Sequence, residues 1–285
     1  MEIKASQVKE LRDMSGVAMM ECKKALVECE GDLEKALDLL RSNSSLKAEK
    51  KATRVAADGL IRIIKNNDYA TIVEINSETD FAAKDAGFLA FADEVSSFIS
   101  ENKIKDISEL SSGELEDKRL SLIQTIGENI QLRRIHTIDF DSSMSVGSYL
   151  HSDGKLATLV VIDSSDEELA KDIAMHVAAS NPLCKSPNEI DKDILEREKS
   201  IFEAQAKESG KDEAIMGKMI EGKIKKFLAE VSLTSQSFIK DPDLTVEKLL
   251  SEKGADVVDY IRFKVGEGIE VESKSFADEV AEQLK

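Results

Sequence analysis

The chain carries one structural plan twice, about ninety residues apart, and this repeat limits its fold more than any other feature. In the first copy, "GLIRIIKNNDYATIVEIN", the stretches Gly59–Ile64 and Ala70–Ile75 are strand-like, and "KNND" between them is a turn signal. A helical pattern follows, with Phe88, Phe91, Val95, Phe98 and Ile99 on one stripe. The second copy, "GSYLHSDGKLATLVVIDSSDEELAKDIAMHVAAS", again runs glycine, strand, polar turn, apolar strand ending in an acid or amide, and amphipathic helix. The echo extends to "AKDAGFLAFA" against "AKDIAMHVAA". Such a duplication predicts an α+β fold: two subdomains with antiparallel sheets, packed as one core.

With 285 residues the chain is too long for one small core, and two or three compact units are expected. Residues 1–41 read as three short helices. Ser6 is placed to cap the first, with Val8 and Leu11 on one face, and Ser15-Gly16 breaks it. The second runs from about Val17 to Glu28 and is ended by Gly31. Asp32 caps the third, where Leu33, Ala36, Leu37 and Leu40 recur at i, i+3, i+4, i+7. The pattern is similar to ubiquitin-associated-type three-helix domains, a UBA-like module. Neighbouring helix residues lie about 100° apart, so Met19 and Met20 cannot both point fully inward. Either one faces solvent or a partner, or both are partly buried. Then comes "KAEKKATR", Lys47–Arg54, with four cations and one acid. Such a run is a solvated linker or helix end, or else a contact for an acidic surface.

The three prolines divide the rest. Pro182 and Pro187 bracket "LCKS", after which about Ile190 to Val231 reads as helical, broken by "ESGK" at 208–211. Ile194, Ile201 and Phe202 line one helix. Ile215, Met219, Ile220, Ile224, Phe227 and Leu228 line the next. The pair predicts an inserted antiparallel coiled-coil hairpin, whose outer role would be self-association or a partner platform. Pro242 starts a return segment: helix "LTVEKLLSEKG", strand "DVVDYIRFKVG" and a final helix "KSFADEVAEQL". The strand should rejoin the second subdomain and make it discontinuous. The expected boundaries are 1–54 for the three-helix module and linker and 55–144 for the first subdomain. The second takes 145–185 and 233–267, the hairpin 186–232, and the C-terminal helical module 268–285.

Several function classes are excluded or disfavoured. The chain is 41% hydrophobic and 33% charged, a soluble globular balance. No apolar run approaches the roughly 20 residues of a membrane helix, and the charged start "MEIKASQVKE" has no signal-peptide core. Three cysteines without metal-ligand spacing suggest reduced thiols and a cytoplasmic protein. The net charge is −17, and residues 1–54 carry +1, which leaves −18 on the remainder. Direct nucleic-acid binding by the main body is disfavoured, since phosphate neutralisation needs clustered cations. There is no GxxxxGK[ST] phosphate loop, and "GEG" at 266–268 lacks the rest of a dinucleotide fingerprint. His136, His151 and His176 have no metal-ligand spacing. His176, in an apolar helix, reads as a packing residue. His151, in the polar turn "LHSDGK", is placed for exposure and partner contact.

One stretch stands apart. "NSETDFAAKD", Asn76–Asp85, follows an apolar run and precedes a helix. If Asp80 caps that helix, Phe81 is its first core residue, seven before Phe88. If instead Asp85 caps it, Thr79–Lys84 is a separate protruding turn that exposes an aromatic beside a carboxylate. Gly87 favours the second case, because glycine costs roughly 1 kcal/mol in a helix interior relative to alanine. Pattern alone leaves both open.

Two blocks bear a strong resemblance to the bacterial elongation factor Ts family: "VKELRDMSGVAMMECKKAL" and "EINSETDFAAKDAGFLAFADEV". "IGENIQLRRI", "MHVAASNP", "KKFLAEVSLTSQSFI" and "YIRFKVGEGIE" extend the similarity over essentially the whole chain. The family usually has Thr-Gly where this chain has Ser15-Gly16, and Val where it has Ala82. The resemblance implies a guanine-nucleotide exchange factor for elongation factor Tu, with no covalent chemistry, cofactor or metal of its own. It implies that the turn Thr79, Asp80, Phe81 and Ala82 intrudes near the partner's magnesium site. Met19, Met20, Lys23 and His151 are further expected partner contacts, and a homodimer through the hairpin is one expectation. No nucleic acid or membrane partner is implied. The rival readings are a non-catalytic adaptor holding a peptide or ubiquitin-like ligand on the N-terminal module, and an enzyme whose site assembles only in three dimensions.

Overall fold

The computed structural model describes residues 3–208 and 212–270, with backbone alone at 44–47. The chain divides into two units. The first comprises Met1–Ile64, Val73–His136 and the chain from Lys264, and the second comprises Lys65–Ile72 and Thr137–Phe263.

The first unit opens with helices α1 (Ala5–Ser15), α2 (Met19–Glu28) and α3 (Leu33–Lys51). They close over Val8, Leu11, Val17, Cys22, Ala25, Leu26, Ala36 and Leu40, the apolar residues the helical period places inward. Asp32 caps α3 by accepting from the Lys35 N–H at 3.1 Å. Ser6 does not cap α1. The helix starts two residues earlier than a Ser6 cap requires, with Lys4 at the cap position, and the Gln7 side chain accepts from the Lys4 N–H at 3.1 Å, so the serine hydroxyl is not needed. Helix α2 begins at Met19 rather than Val17, because Val17 is in the link, its N–H on Ser15 Oγ at 3.3 Å and its side chain in the module core. Helix α3 continues ten residues past the expected end. The Lys47–Arg54 run is thus mostly a helix end, as its Ala, Glu and Lys content favours.

Strands β1 (Asp58–Lys65), β2 (Tyr69–Ser77) and β3 (Gln131–Asp139) form a sheet in the order β1-β2-β3. Between β2 and β3 lie the single turn α4 (Asp80–Ala83) and helices α5 (Ala86–Asn102) and α6 (Gly113–Ile126). Phe88, Phe91, Val95 and Ile99 of α5 bury against Leu60, Val73, Ile75, Ile123 and Ile130. Every residue of β2 is buried, including Glu74. Its carboxylate is fully compensated, by Arg133 at 2.9 Å, Arg134 at 2.6 Å and the Gly266 N–H at 2.9 Å. A buried acid left without such partners would be strongly destabilising.

In the second unit β4 (Ser145–Leu150) and β5 (Leu156–Ile162) pair antiparallel, from Ser145 opposite Ile162 to Leu150 opposite Ala157. Helix α7 (Glu167–Ser180) is capped by Asp166, which accepts from the Leu169 N–H at 3.0 Å. Helices α8 (Lys192–Glu208) and α9 (Glu213–Val231) form a hairpin. Phe202 meets Phe227 at 6.4 Å, and Gln205 meets Lys223, so numbers rise on one helix as they fall on the other and the pair is antiparallel. Strands β6 (Ser237–Phe238) and β7 (Asp241–Thr245), helix α10 (Val246–Lys253) and strand β8 (Val257–Lys264) complete the unit. The sheet order is β4-β5-β8, so the return strand pairs beside β5. Val160, Ile162, Ile173, Val177, Leu233, Phe238, Leu250 and Val257 make its core.

The two three-stranded sheets share a plan: each pair of consecutive strands is followed by helix and takes a later strand beside its second strand. The repeat's two glycines serve close backbone approach. A Cβ on Gly59 would stand 2.1 Å from the Ile75 carbonyl oxygen, and one on Gly147 would stand 1.9 Å from that of Ala170. The mixed helices and antiparallel sheet fit the α+β class. The expected "KSFADEVAEQL" helix lies outside the described residues. No described helix is long and apolar enough to cross a membrane.

Candidate functional site: the Thr79–Ala82 turn and its neighbours

Two caps within seven residues shape the stretch after β2. Thr79 is extended, and its hydroxyl accepts from the Ala82 N–H at 3.3 Å, which starts the single turn α4. Asp85 then accepts from the N–H groups of Gly87 at 2.8 Å and Phe88 at 3.3 Å, and α5 begins behind it. Capping by Asp80 is thereby ruled out for either helix. Phe88 is the first core aromatic, fully buried, whereas Phe81 is 82% exposed. Ala82 and Ala83 face inward, at 4% and 7% exposure, so the turn is seated on small side chains and presents Asp80 and Phe81 outward. Lys84 donates to Asp80 at 2.7 Å, and that hydrogen bond, with the carboxylate charge, raises the ammonium above its usual range.

The base of the turn is laced to the segment before β3. Glu128 accepts from the Thr79 N–H at 3.0 Å and from the Thr79 hydroxyl at 2.7 Å. Ser77 Oγ donates to the Thr79 carbonyl at 2.9 Å. In return, Glu78 accepts from the Asn129 N–H at 2.6 Å, and the Asn129 amide donates to the Arg54 carbonyl at 2.8 Å. The Arg54 guanidinium stands 3.5 Å from Glu78. Sequence reasoning missed Glu128 and Asn129. Their signal was the acid–amide pair directly after the glycine that ends α6.

Met19 and Met20 open α2, at 40% and 65% exposure, and Lys23 one turn later is also exposed. Met14 and Val27, which the sequence did not single out, are exposed as well. Val27 stands seven residues after Met20 on the same helix and so repeats its face. His151 lies in the second unit, in the turn after β4, with Nδ1 3.0 Å from Asp153. The Asp153 carboxyl is held below its usual range chiefly by the Lys155 N–H, which donates to it at 2.9 Å. The structure thus places Thr79–Ala82 in one turn and Met19, Met20 and Lys23 on one helix, while His151 belongs to the other unit. Among the described residues, no group of three or more His, Cys, Asp or Glu is arranged to hold a metal ion.

The family model "Elongation factor TS" matches residues 78–267. An elongation factor Ts of Hahella chejuensis is 50% identical over 285 residues, covering 99% of each chain. The elongation factor Ts of Saccharophagus degradans is 48% identical over 286 residues, covering 100% of this chain and 98% of its own. That of Francisella tularensis subsp. novicida is 49% identical over 289 residues, with 99% of each covered. With half of all positions shared along nearly its whole length, the chain belongs to the elongation factor Ts family.

Proposed function

We propose that this translation elongation factor binds elongation factor Tu carrying GDP and speeds GDP release by presenting the Thr79–Ala82 turn near the partner's magnesium site. The observation that carries this reading is Phe81, 82% exposed on a turn that is itself capped and seated. Leaving a phenyl ring in water forgoes roughly 1.5–3 kcal/mol of burial, which a partner slot would recover. Asp80 travels with it. Its ion pair with Lys84 is exposed and therefore weak, so a partner's cation site or phosphate can compete with it for the carboxylate. No covalent step is involved. The factor lowers GDP affinity by binding a magnesium-poor state more tightly, and GDP must weaken the factor's own binding by the same ratio.

In this reading the N-terminal helices, as a UBA-like module over 1–54, dock through Met19, Met20 and Lys23, and His151 adds a contact from the second unit. Ala82 supports the turn from beneath rather than touching the partner. The hairpin of 186–232 is a coiled coil, and its outer face is where a second copy would dock. Ile194, Ile201 and Ile215 all remain more than one-third exposed, and Ala206 is the one buried side chain of helices α8 and α9 among the described residues. The test is stopped-flow release of labelled GDP from elongation factor Tu, with this chain and with its Phe81→Ala variant, across a magnesium titration. Release at full rate by the variant at every magnesium concentration would remove the turn from the mechanism.

A further inference from the structure

Helix α4 is a single turn, and so short a helix has no stability of its own in water. Its pose must be set by tertiary contacts. Two small side chains, Ala82 and Ala83, seat it, but alanine methyls do not fix a direction. The directional contacts come from Glu128, whose two carboxylate oxygens take the N–H and the hydroxyl of Thr79. Charge-assisted, bidentate contacts of this kind are the stronger and more geometrically specific hydrogen bonds. Because the Thr79 hydroxyl donates its proton to Glu128, its lone pair is turned toward the Ala82 N–H that it caps. The carboxylate therefore orients the cap, and the cap orients the turn. On the other side of the lacing, Asn129 fastens the same segment to the carbonyls of Ala52 and Arg54, at the exit of α3.

We propose that Glu128 is a positioning residue for nucleotide exchange, acting through Thr79 to hold Asp80 and Phe81 in the pose that enters the partner. This rests on the reading that the turn drives release. A carboxylate that merely stabilised the fold would lower the melting temperature and leave the rate per bound complex unchanged. A positioning carboxylate lowers the rate at saturation.

The experiment uses the full chain with Glu128→Ala and Glu128→Gln, each alone and combined with Phe81→Ala. It measures kcat and KM for labelled GDP release from elongation factor Tu, together with thermal melting. For Glu128→Ala, kcat should fall about tenfold while KM stays within about twofold, the signature of an interaction used after binding. Glu128→Gln keeps an acceptor for one of the two Thr79 donors and should recover part of the loss. In the Phe81→Ala background the further loss should shrink to less than about twofold, because residues acting through one another are not additive. An unchanged kcat in Glu128→Ala would overturn the inference, as would an equal loss with and without Phe81. If Glu128→Ala does not fold, the same comparison with Glu128→Gln decides. Full activity of Phe81→Ala alone would defeat the reading of the turn itself, an outcome distinct from a slow Phe81→Ala beside a fast Glu128→Ala.

Discussion

Phe81 and Phe88 are seven residues apart in sequence and opposite in environment, one in water and one without exposed surface. Truncating Phe88 to alanine should cost roughly 3–5 kcal/mol of folding stability, as for a buried aromatic. Phe81→Ala and Asp80→Ala should melt close to the parent chain yet release GDP at least tenfold more slowly, on the scale of a partner-slot aromatic. Variants that melt early and exchange normally would reverse the assignment. The sequence left this pair undecided because the apolar period runs in phase through both phenylalanines. What separates them is a pair of side-chain caps, at Thr79 and Asp85, that period alone does not reveal. His176 was legible as a packing residue, and the structure supplies its chemistry. Its Nδ1 accepts from the Ile239 N–H at 3.2 Å, so Nε2 carries the proton donated to Gln236 at 2.9 Å. Burial pushes its pKa below the ordinary value of 6.5, against a smaller opposing effect from Gln236. The folded state thus holds this ring neutral. Its contribution to stability is complete above about pH 6.5, where the unfolded ring is neutral too, and is lost as pH falls toward the lowered folded value. Denaturant unfolding at pH 8 and pH 5.5 should show a steeper acid loss for the parent than for His176→Gln, and equal slopes would show that the ring is protonated without penalty.

At the scale of elements, long amphipathic segments were readable and short or charge-rich ones were not. Helix α5 shows its buried stripe plainly. Helix α6 buries only Leu115 and Ile123 fully and is dominated by charge, and no helix was expected there. Strand β3 is half-buried throughout most of its length, and its two arginines serve Glu74 across the sheet. A pairing of that kind connects residues sixty apart in sequence, which local pattern cannot report. Strand β6 has two residues and no period at all. The α8–α9 hairpin was legible, and its attachment clarifies how separable it is. Its roots are held by the Leu183 N–H on the Val231 carbonyl at 2.8 Å and the Leu233 N–H on the Cys184 carbonyl at 2.9 Å. Among the described residues, no hairpin residue belongs to the second unit's main apolar cluster. Replacing 192–229 by a short flexible linker should therefore keep a cooperative melt, with the root hydrogen bonds intact. Loss of the cooperative transition would mean that the second unit depends on the hairpin for its own packing.

For the whole molecule, the informative question is where the N-terminal module ends. The expected module and its linker reach residue 54; helix α3 carries through to Lys51, and Ala48 is buried in the same cluster as Phe88 and Ile130. Beyond it, the carbonyls of Ala52 and Arg54 hold Asn129, next to the carboxylate that grips the turn. The module's own core and the end of α3 thus belong to separate apolar clusters. Two truncations distinguish them. Removing 1–43 takes away the exposed Met19, Met20 and Lys23 and spares Ala48 to Arg54. Lost apolar burial of roughly 1–3 kcal/mol at the interface should raise KM for elongation factor Tu about five- to a hundredfold, with kcat largely kept. Removing 1–54 also uncovers part of the first unit's core and unfastens Asn129, so kcat and the melting temperature should both fall further. Met19→Ala with Met20→Ala should mimic the shorter truncation in KM alone. Equal kcat in the two truncations, at equal melting temperatures, would show that the exit of α3 contributes nothing to the turn.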